Sequence, residues 1–165
     1  MNPAYTQFID RMGIAAETDG MSPIAARLFS LLLLSEEPQS LDELADALGV
    51  SKASVSTDAR RLLERGIVER VAKPADRRDY YELSPDFFAR IIEARASRWR
   101  RMQLLANEVR DQVGHLPDAV AKRIDAIDDV EASVIAPLEQ ALADWRAQRK
   151  HAAVTTRRGA KARKR

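Results

Sequence analysis

Cysteine is absent from the chain, which excludes disulfides, thiolate metal ligands and cysteine nucleophiles and makes a cytoplasmic location the natural expectation. Histidine occurs only at His115 and His151, and neither has neighbours in sequence that form a zinc set or a catalytic triad. The acidic pair Asp128-Asp129 falls on a charged helical face and reads as solvated. No enzyme activity, cofactor or metal is expected. Long apolar runs are also missing: the longest, Leu31 to Leu34, is far short of the roughly 20 residues that span a bilayer. The opening residues Met1-Asn2-Pro3-Ala4-Tyr5 carry no basic region followed by an apolar stretch, so neither insertion nor export is expected. Glycine and proline number only six and seven in 165 residues, which leaves few breaks and predicts a mainly helical protein with one core plus extensions.

Charge is unevenly spread. Residues 149–165 hold Arg149, Lys150, Arg157, Arg158, Lys161, Arg163, Lys164 and Arg165 and no acid. The preceding 148 residues hold 19 basic against 25 acidic side chains, a net of −6. The basic isoelectric point therefore belongs to the tail, and nucleic-acid binding by the body has to be argued from local pattern. Past Lys150 the periodicity ends in Ala, Thr, Gly, Arg and Lys, a composition that reads as a disordered basic tail over 151–165.

Helix signals punctuate the rest. Asn2-Pro3 starts a first helix with Tyr5, Phe8, Ile9 and Met12 on one face. Ser22-Pro23 starts a second, buried one that Pro38 closes. Leu41 to Leu48 forms a short helix ended by Gly49, and Ser51 to Arg65 another ended by Gly66. The β-branched and aromatic runs Val68–Lys73 and Tyr80–Leu83 flank a turn and predict a two-stranded hairpin. Ser84-Pro85-Asp86 opens a long helix with Phe88, Ile91, Ile92, Trp99, Met102, Leu105 and Val109, stopping near Gly114. Pro117-Asp118 opens the last, with Val120, Ile124, Ile127, Val130, Val134, Leu138, Leu142 and Trp145 in a stripe that Pro137 should kink. The expected organisation is a first helix over 1–20, a compact core over 21–84, long helices over 85–150, and the tail over 151–165.

The stretch 41–68 carries the functional signal. Leu41, Leu44 and Leu48 line one helix face, Ala45 is small where a second helix must cross, Gly49 turns the chain and Val50 plugs the corner. Ser51 caps the next helix, whose inner face is Val55, Ala59 and Leu62. Lys52, Ser54, Ser56, Thr57, Arg60 and Arg61 are left wholly or partly outside. Short hydroxylated side chains let a helix approach base edges in a major groove, and Ser51, Lys52 and the arginines reach phosphates. A plain helical hairpin with a solvated face is the alternative, disfavoured because turn glycine, small crossing residue, cap and basic face coincide. Arg77 and Arg78 at the hairpin tip are placed for a minor groove or phosphates; alternatively, Asp76 and Asp79 pair with them.

Leu41-Asp42-Glu43-Leu44-Ala45, Leu48-Gly49-Val50-Ser51-Lys52, Ser54-Val55-Ser56 and Asp76-Arg77-Arg78-Asp79-Tyr80-Tyr81 resemble the MarR family of winged helix-turn-helix regulators, most closely its GbsR-like branch. The resemblance covers about 22–83. It implies a winged helix-turn-helix core with long N- and C-terminal dimerisation helices, a homodimer on a pseudo-palindromic duplex site, and transcriptional control, commonly repression. One departure is that four residues rather than five separate Arg78 from Leu83-Ser84. Some GbsR-like members respond to choline or glycine betaine, so Tyr80, Tyr81, Phe87, Phe88 and Trp99 are candidates for an effector's aromatic cage, against a role in core or dimer contacts. The rival readings are a winged-helix protein-interaction module and an architectural DNA binder acting through the tail.

Overall fold

The computed structural model describes the backbone of residues 2–18, 21–74 and 76–162 and their side chains, those of 18 and 150–162 excepted. Two compact units emerge, one up to Arg90 and one from Ile91 onward. The division falls inside a helix and several residues beyond the boundary at 84 that the sequence suggests.

The first unit begins with α1 (Pro3–Thr18), in which Ala4 N–H donates to the Asn2 side chain at 2.9 Å. Helix α2 (Pro23–Leu33) is capped by Ser22 and carries Pro23 in its first turn. The two helices pack closely. A Cβ on Gly13 would come within 2.8 Å of Arg27 Cγ, so a side chain there would push aside Arg27, which lies across α1 and reaches Asp10 at 3.2 Å. The buried stripe of α1 is Ile9, Gly13 and Ala16. Of the face expected from the sequence, only Ile9 is buried; Met12 is half-buried, and Tyr5 and Phe8 remain exposed with Ile14.

Helix α3 (Leu41–Leu48) ends at Gly49, whose φ of 65° is a left-handed conformation that costs an L side chain about 1 kcal/mol or more. Helix α4 (Lys52–Glu64) follows at once, capped by Ser51. Leu28, Leu44 and Val55 are fully buried, with Ala59, Leu62 and Val68 beside them, so α2, α3, α4 and the sheet share one apolar core. The hairpin is present as β2 (Val68–Ala72) and β3 (Asp79–Leu83), paired in continuous register from Val68 opposite Leu83 to Ala72 opposite Asp79. Despite the four-residue spacing, the wing closes cleanly, and Ser84 N–H donates to Ile67 O at 3.0 Å. The sheet has three strands rather than the expected two. A two-residue β1 (Gln39–Ser40) adds to the other edge of β3, giving the antiparallel order β1-β3-β2. So short a strand carries no period-2 pattern, and only its pairing reveals it.

Helix α5 (Phe87–Val113) runs from the first unit into the second. There it is followed by α6 (Asp118–Val130), a π-helical turn at Glu131–Ile135, and α7 (Ala136–Ala162). The irregularity expected at Pro137 takes the form of this wider turn, in which Ala136 N–H bonds to Glu131 O. A proline ring clashes with the carbonyl four residues earlier in a regular helix, and a π turn immediately before it displaces that carbonyl. The backbone of α7 continues to Ala162, so 151–162 is helical where composition suggested a disordered tail. Alanines at 152, 153, 160 and 162 favour that continuation. Residues 163–165 lie outside the described ones.

Polar pairs run along α5 against α6 and α7. Glu93 pairs with Arg146, and Arg100 pairs with Glu139 and with Glu131. Arg110 reaches Asp125 and Asp128, each at 3.0 Å. Gln103 donates to Asp128 at 2.9 Å. Asp128 is thus bound to Gln103 and Arg110 rather than merely solvated as the sequence suggested, and those two partners hold its carboxyl below its ordinary pKa. Of the stripe on α6 and α7 only Leu142 is buried. Met102, Leu104, Leu105 and Val109 of α5 are exposed, as are Val134 and Leu138. Among the described residues no helix is long and apolar enough to cross a membrane.

Candidate nucleic-acid interface

Helix α4 presents the face that the sequence assigns to DNA. Val55, Ala59 and Leu62 are buried at 0–2% exposure, which fixes the helix rotation. Ser51, Lys52, Thr57, Arg60 and Arg61 then point outward, and Ser54 and Ser56 sit half-buried at the margin. Several are already engaged. Ser51 Oγ accepts from Ser54 N–H at 3.2 Å and lies 2.9 Å from Ser54 Oγ, so this pair serves the helix start as well as offering hydroxyls. Thr57 Oγ1 donates back to Ala53 O at 3.0 Å. Lys52 pairs with Asp42 at 2.7 Å on the open surface, a contact worth about 0–1 kcal/mol that a phosphate can displace. Ser56 and Arg60 have no side-chain hydrogen bond or ion pair among the described residues.

Sequence reasoning missed Asp58. It lies on the inner face of α4, 4% exposed. Ser22 Oγ donates to its Oδ2 at 2.8 Å, and Arg61 Nη1 donates to its Oδ1 at 2.9 Å. The available signal was an acid between Val55 and Ala59 with an arginine three residues on, a spacing that brings side chains together on a helix.

The wing tip is tied down from within. Arg78 donates through Nη2 to Asp76 at 2.7 Å and to the Tyr80 hydroxyl at 2.6 Å. The Tyr80 hydroxyl donates to Asp76 at 2.6 Å. The Arg78 hydrogen bonds, then that of Tyr80, hold the Asp76 carboxyl well below the usual range, and Asp76 in turn raises the Arg78 and Tyr80 pKa values. The alternative of aspartates pairing with tip arginines therefore applies to Arg78 alone. Asp79 pairs across the strands with Arg70 at 3.1 Å, and Arg77 is exposed with no ion pair among the described residues. Arg78 keeps about half its side-chain surface open, so its remaining donors face outward in a fixed pose.

A capping box at the start of α3 joins this region. Ser40 donates from N–H and from Oγ to Glu43 at 2.7 and 2.8 Å, and Glu43 N–H donates to Ser40 Oγ at 3.3 Å. The motif was readable from Ser40 and Glu43 three apart. These bonds, the backbone one first, lower the Glu43 pKa. A depressed carboxylate stabilises the fold above its unfolded pKa and loses that contribution as pH falls through the folded value. Glu43→Gln keeps an acceptor for Ser40 N–H but removes the charge. Denaturation midpoints of the variant and the parent should therefore differ at pH 7 and converge as pH falls below about 4; a constant difference would show that the charge contributes nothing.

Of the five aromatic candidates, Tyr80, Tyr81, Phe87 and Phe88 lie in the first unit. Tyr80 and Tyr81 are buried neighbours on β3 and so face opposite sides of the sheet. Lys73 Nζ and Arg78 Cζ already stand 4.4 and 5.3 Å from the Tyr80 ring centre. Phe87 packs edge-on to Phe29 at 5.5 Å and beside Phe88 at 4.3 Å. Trp99 belongs to the second unit. His115 is exposed between α5 and α6, and the side chain of His151 lies outside the described ones. No group of three or more metal-ligating side chains occurs among the described residues.

Residues 19–79 match the model of the MarR family. The HTH-type transcriptional regulator MmpR5 of Mycobacterium tuberculosis is 34% identical over 131 residues, 79% of this chain and 79% of that one. The HTH-type transcriptional repressor OpcR of Bacillus subtilis is 26% identical over 99 residues, 60% of this chain and 54% of that one. A crystal structure of a transcriptional regulator, 31% identical, superposes with a TM-score of 0.72 over 90% of this chain and 99% of the other. With a capped helix-turn-helix, a basic outward face and a closed wing on one core, the chain belongs to the MarR family and is a DNA-binding transcriptional regulator.

Proposed function

We propose that the protein works as a cytoplasmic homodimer that recognises a pseudo-palindromic operator and represses transcription from it. The observation that carries this reading is the outward face of α4, where Ser51, Lys52, Ser54, Ser56, Thr57, Arg60 and Arg61 surround a helix seated on Val55, Ala59 and Leu62. In this reading α4 enters the major groove, and Arg77 and Arg78 of the wing meet phosphates or the adjacent minor groove. Exposed apolar side chains support self-association: Tyr5, Phe8 and Ile14 on α1, and Met102, Leu105 and Val109, spaced by three and four, on α5. A two-fold dimer presents two copies of α4, which is why the operator should be a pseudo-palindrome. Repression follows the relative OpcR.

The basic segment 149–165 has a separate task, supplying attraction to any duplex, since residues 1–148 carry net negative charge. Selection of fragmented genomic DNA at physiological salt with excess competitor tests both parts. The intact chain is expected to enrich one or a few pseudo-palindromic sites. A chain lacking 151–165 should enrich the same sites with lower affinity for unrelated duplex and a shallower salt dependence. Uniform retention by the intact chain would favour an architectural binder, and no retention a protein-interaction module. Loss of site preference on truncation would make the tail part of the reading head.

A further inference from the structure

A carboxylate on a helix that faces DNA is a liability, because it repels phosphate. Asp58 avoids this by being buried, but burial of a charge is costly unless both oxygens are satisfied. Here they are divided between two partners with different consequences. Oδ2 accepts from Ser22, the residue that caps α2, so α4 is pinned to the beginning of α2. Oδ1 accepts from Arg61, whose side chain is 58% exposed while that of Asp58 is 5% exposed. The arginine therefore has one N–H anchored in the protein and the other four guanidinium donors available outside. A long surface side chain ordinarily samples many rotamers, and fixing it on binding has an entropic cost. The buried acid removes part of that cost in advance.

We propose that Asp58 is a positioning residue for DNA recognition: with its other oxygen held by the Ser22 hydroxyl, its carboxylate pre-orients Arg61 on the outer face of α4. The proposal rests on the reading of α4 as the DNA-contacting helix. It predicts that Asp58 influences DNA only through Arg61. Asp58→Asn keeps the shape and an acceptor for Ser22 but ends the ionic hold on the guanidinium.

The test is a double-mutant cycle on operator DNA, titrated beside a scrambled duplex, with the wild-type chain, D58N, R61A and D58N/R61A. Circular dichroism and thermal melting are recorded for each. Arg61→Ala is expected to weaken operator binding about tenfold. Asp58→Asn should weaken it severalfold, and the double variant should be no worse than R61A. Effects that multiply in the double variant, or a D58N affinity within twofold of wild type, would overturn the proposal. A helix that is merely loosened would also weaken binding, but would do so equally with or without Arg61. Should D58N lose the fold, Ser22→Ala replaces it in the cycle. That change frees Oδ2 and leaves the Asp58–Arg61 pair in place but less firmly held, so a smaller loss, again absent in the R61A background, is expected. A loss that persists in that background would count against the proposal. If the wild-type chain shows no preference for operator over scrambled duplex, the DNA-reading role of α4 falls first. If it does and the cycle is additive, only the role of Asp58 falls.

Discussion

Converting Arg60 and Arg61 together to alanine should reduce operator affinity by about two orders of magnitude, since each basic contact on a recognition helix is worth roughly 1–3 kcal/mol. Both side chains are exposed, so the fold should survive. The salt dependence is the more telling readout. Each lost phosphate contact lowers the slope of log affinity against log salt by about 1 per protomer. A large fall in affinity with an unchanged slope would mean that the arginines read base edges rather than phosphates. No change in either would move the reading toward a winged helix that binds protein. The pair is not a symmetrical one, because Arg61 also neutralises a buried carboxylate. Removing it leaves Asp58 with Ser22 as its one remaining hydrogen-bond partner, so R61A should melt lower than R60A while R60A stays close to the parent.

The largest effect on stability is expected from Leu44→Ala. Leu44 is fully buried, and it belongs to α3, which packs against α2, α4, β1 and β3. Truncating such a leucine costs about 2–5 kcal/mol, the spread reflecting how far the surroundings collapse into the space. Domains of this size are stable by only about 5–15 kcal/mol, so the variant should show a markedly lower urea midpoint and lose operator binding at temperatures where the parent binds. A midpoint shift equivalent to less than about 1 kcal/mol would mean that neighbouring side chains refill the site. The same truncation at exposed Leu104 should leave the midpoint almost unchanged.

What the sequence revealed and what it hid divide along physical lines. Helix starts at Ser22 and Ser51, the turn at Gly49 and the hairpin around 73–78 were all readable, because caps, left-handed glycines and β-branched runs act locally. The inner face of α4 was readable because a buried stripe has a period. Strand β1 was not, since two residues cannot display a period and their order comes from pairing with Tyr80 and Tyr81. The apolar face of α1 misled in part. Tyr5 and Phe8 are large and apolar in part, but the seam with α2 takes Gly13 and Ala16 beside Ile9, so at two of its three positions smallness rather than hydropathy decides. The candidate site shows the same division. Its outward residues could be enumerated from spacing. The internal engagements of Arg78 and Arg61 use partners two and three residues away, but the burial of Asp58 depends on Ser22, thirty-six residues away.

The shortest strand sets a rule for exchange between relatives. Ser40 pairs with Tyr80 of the wing through β1 and, in the same residue, caps α3. Wing and helix-turn-helix thus share this residue, on top of the packing of β2 and β3 against α2, α3 and α4. A graft that moves residues 68–83 alone into another scaffold would carry half of a joint. A chimera intended to transfer the grip on DNA has to carry residues 22–83 as one piece, because Leu28 of α2 belongs to the same core and Ser22, the cap of α2, bonds to Asp58 of α4.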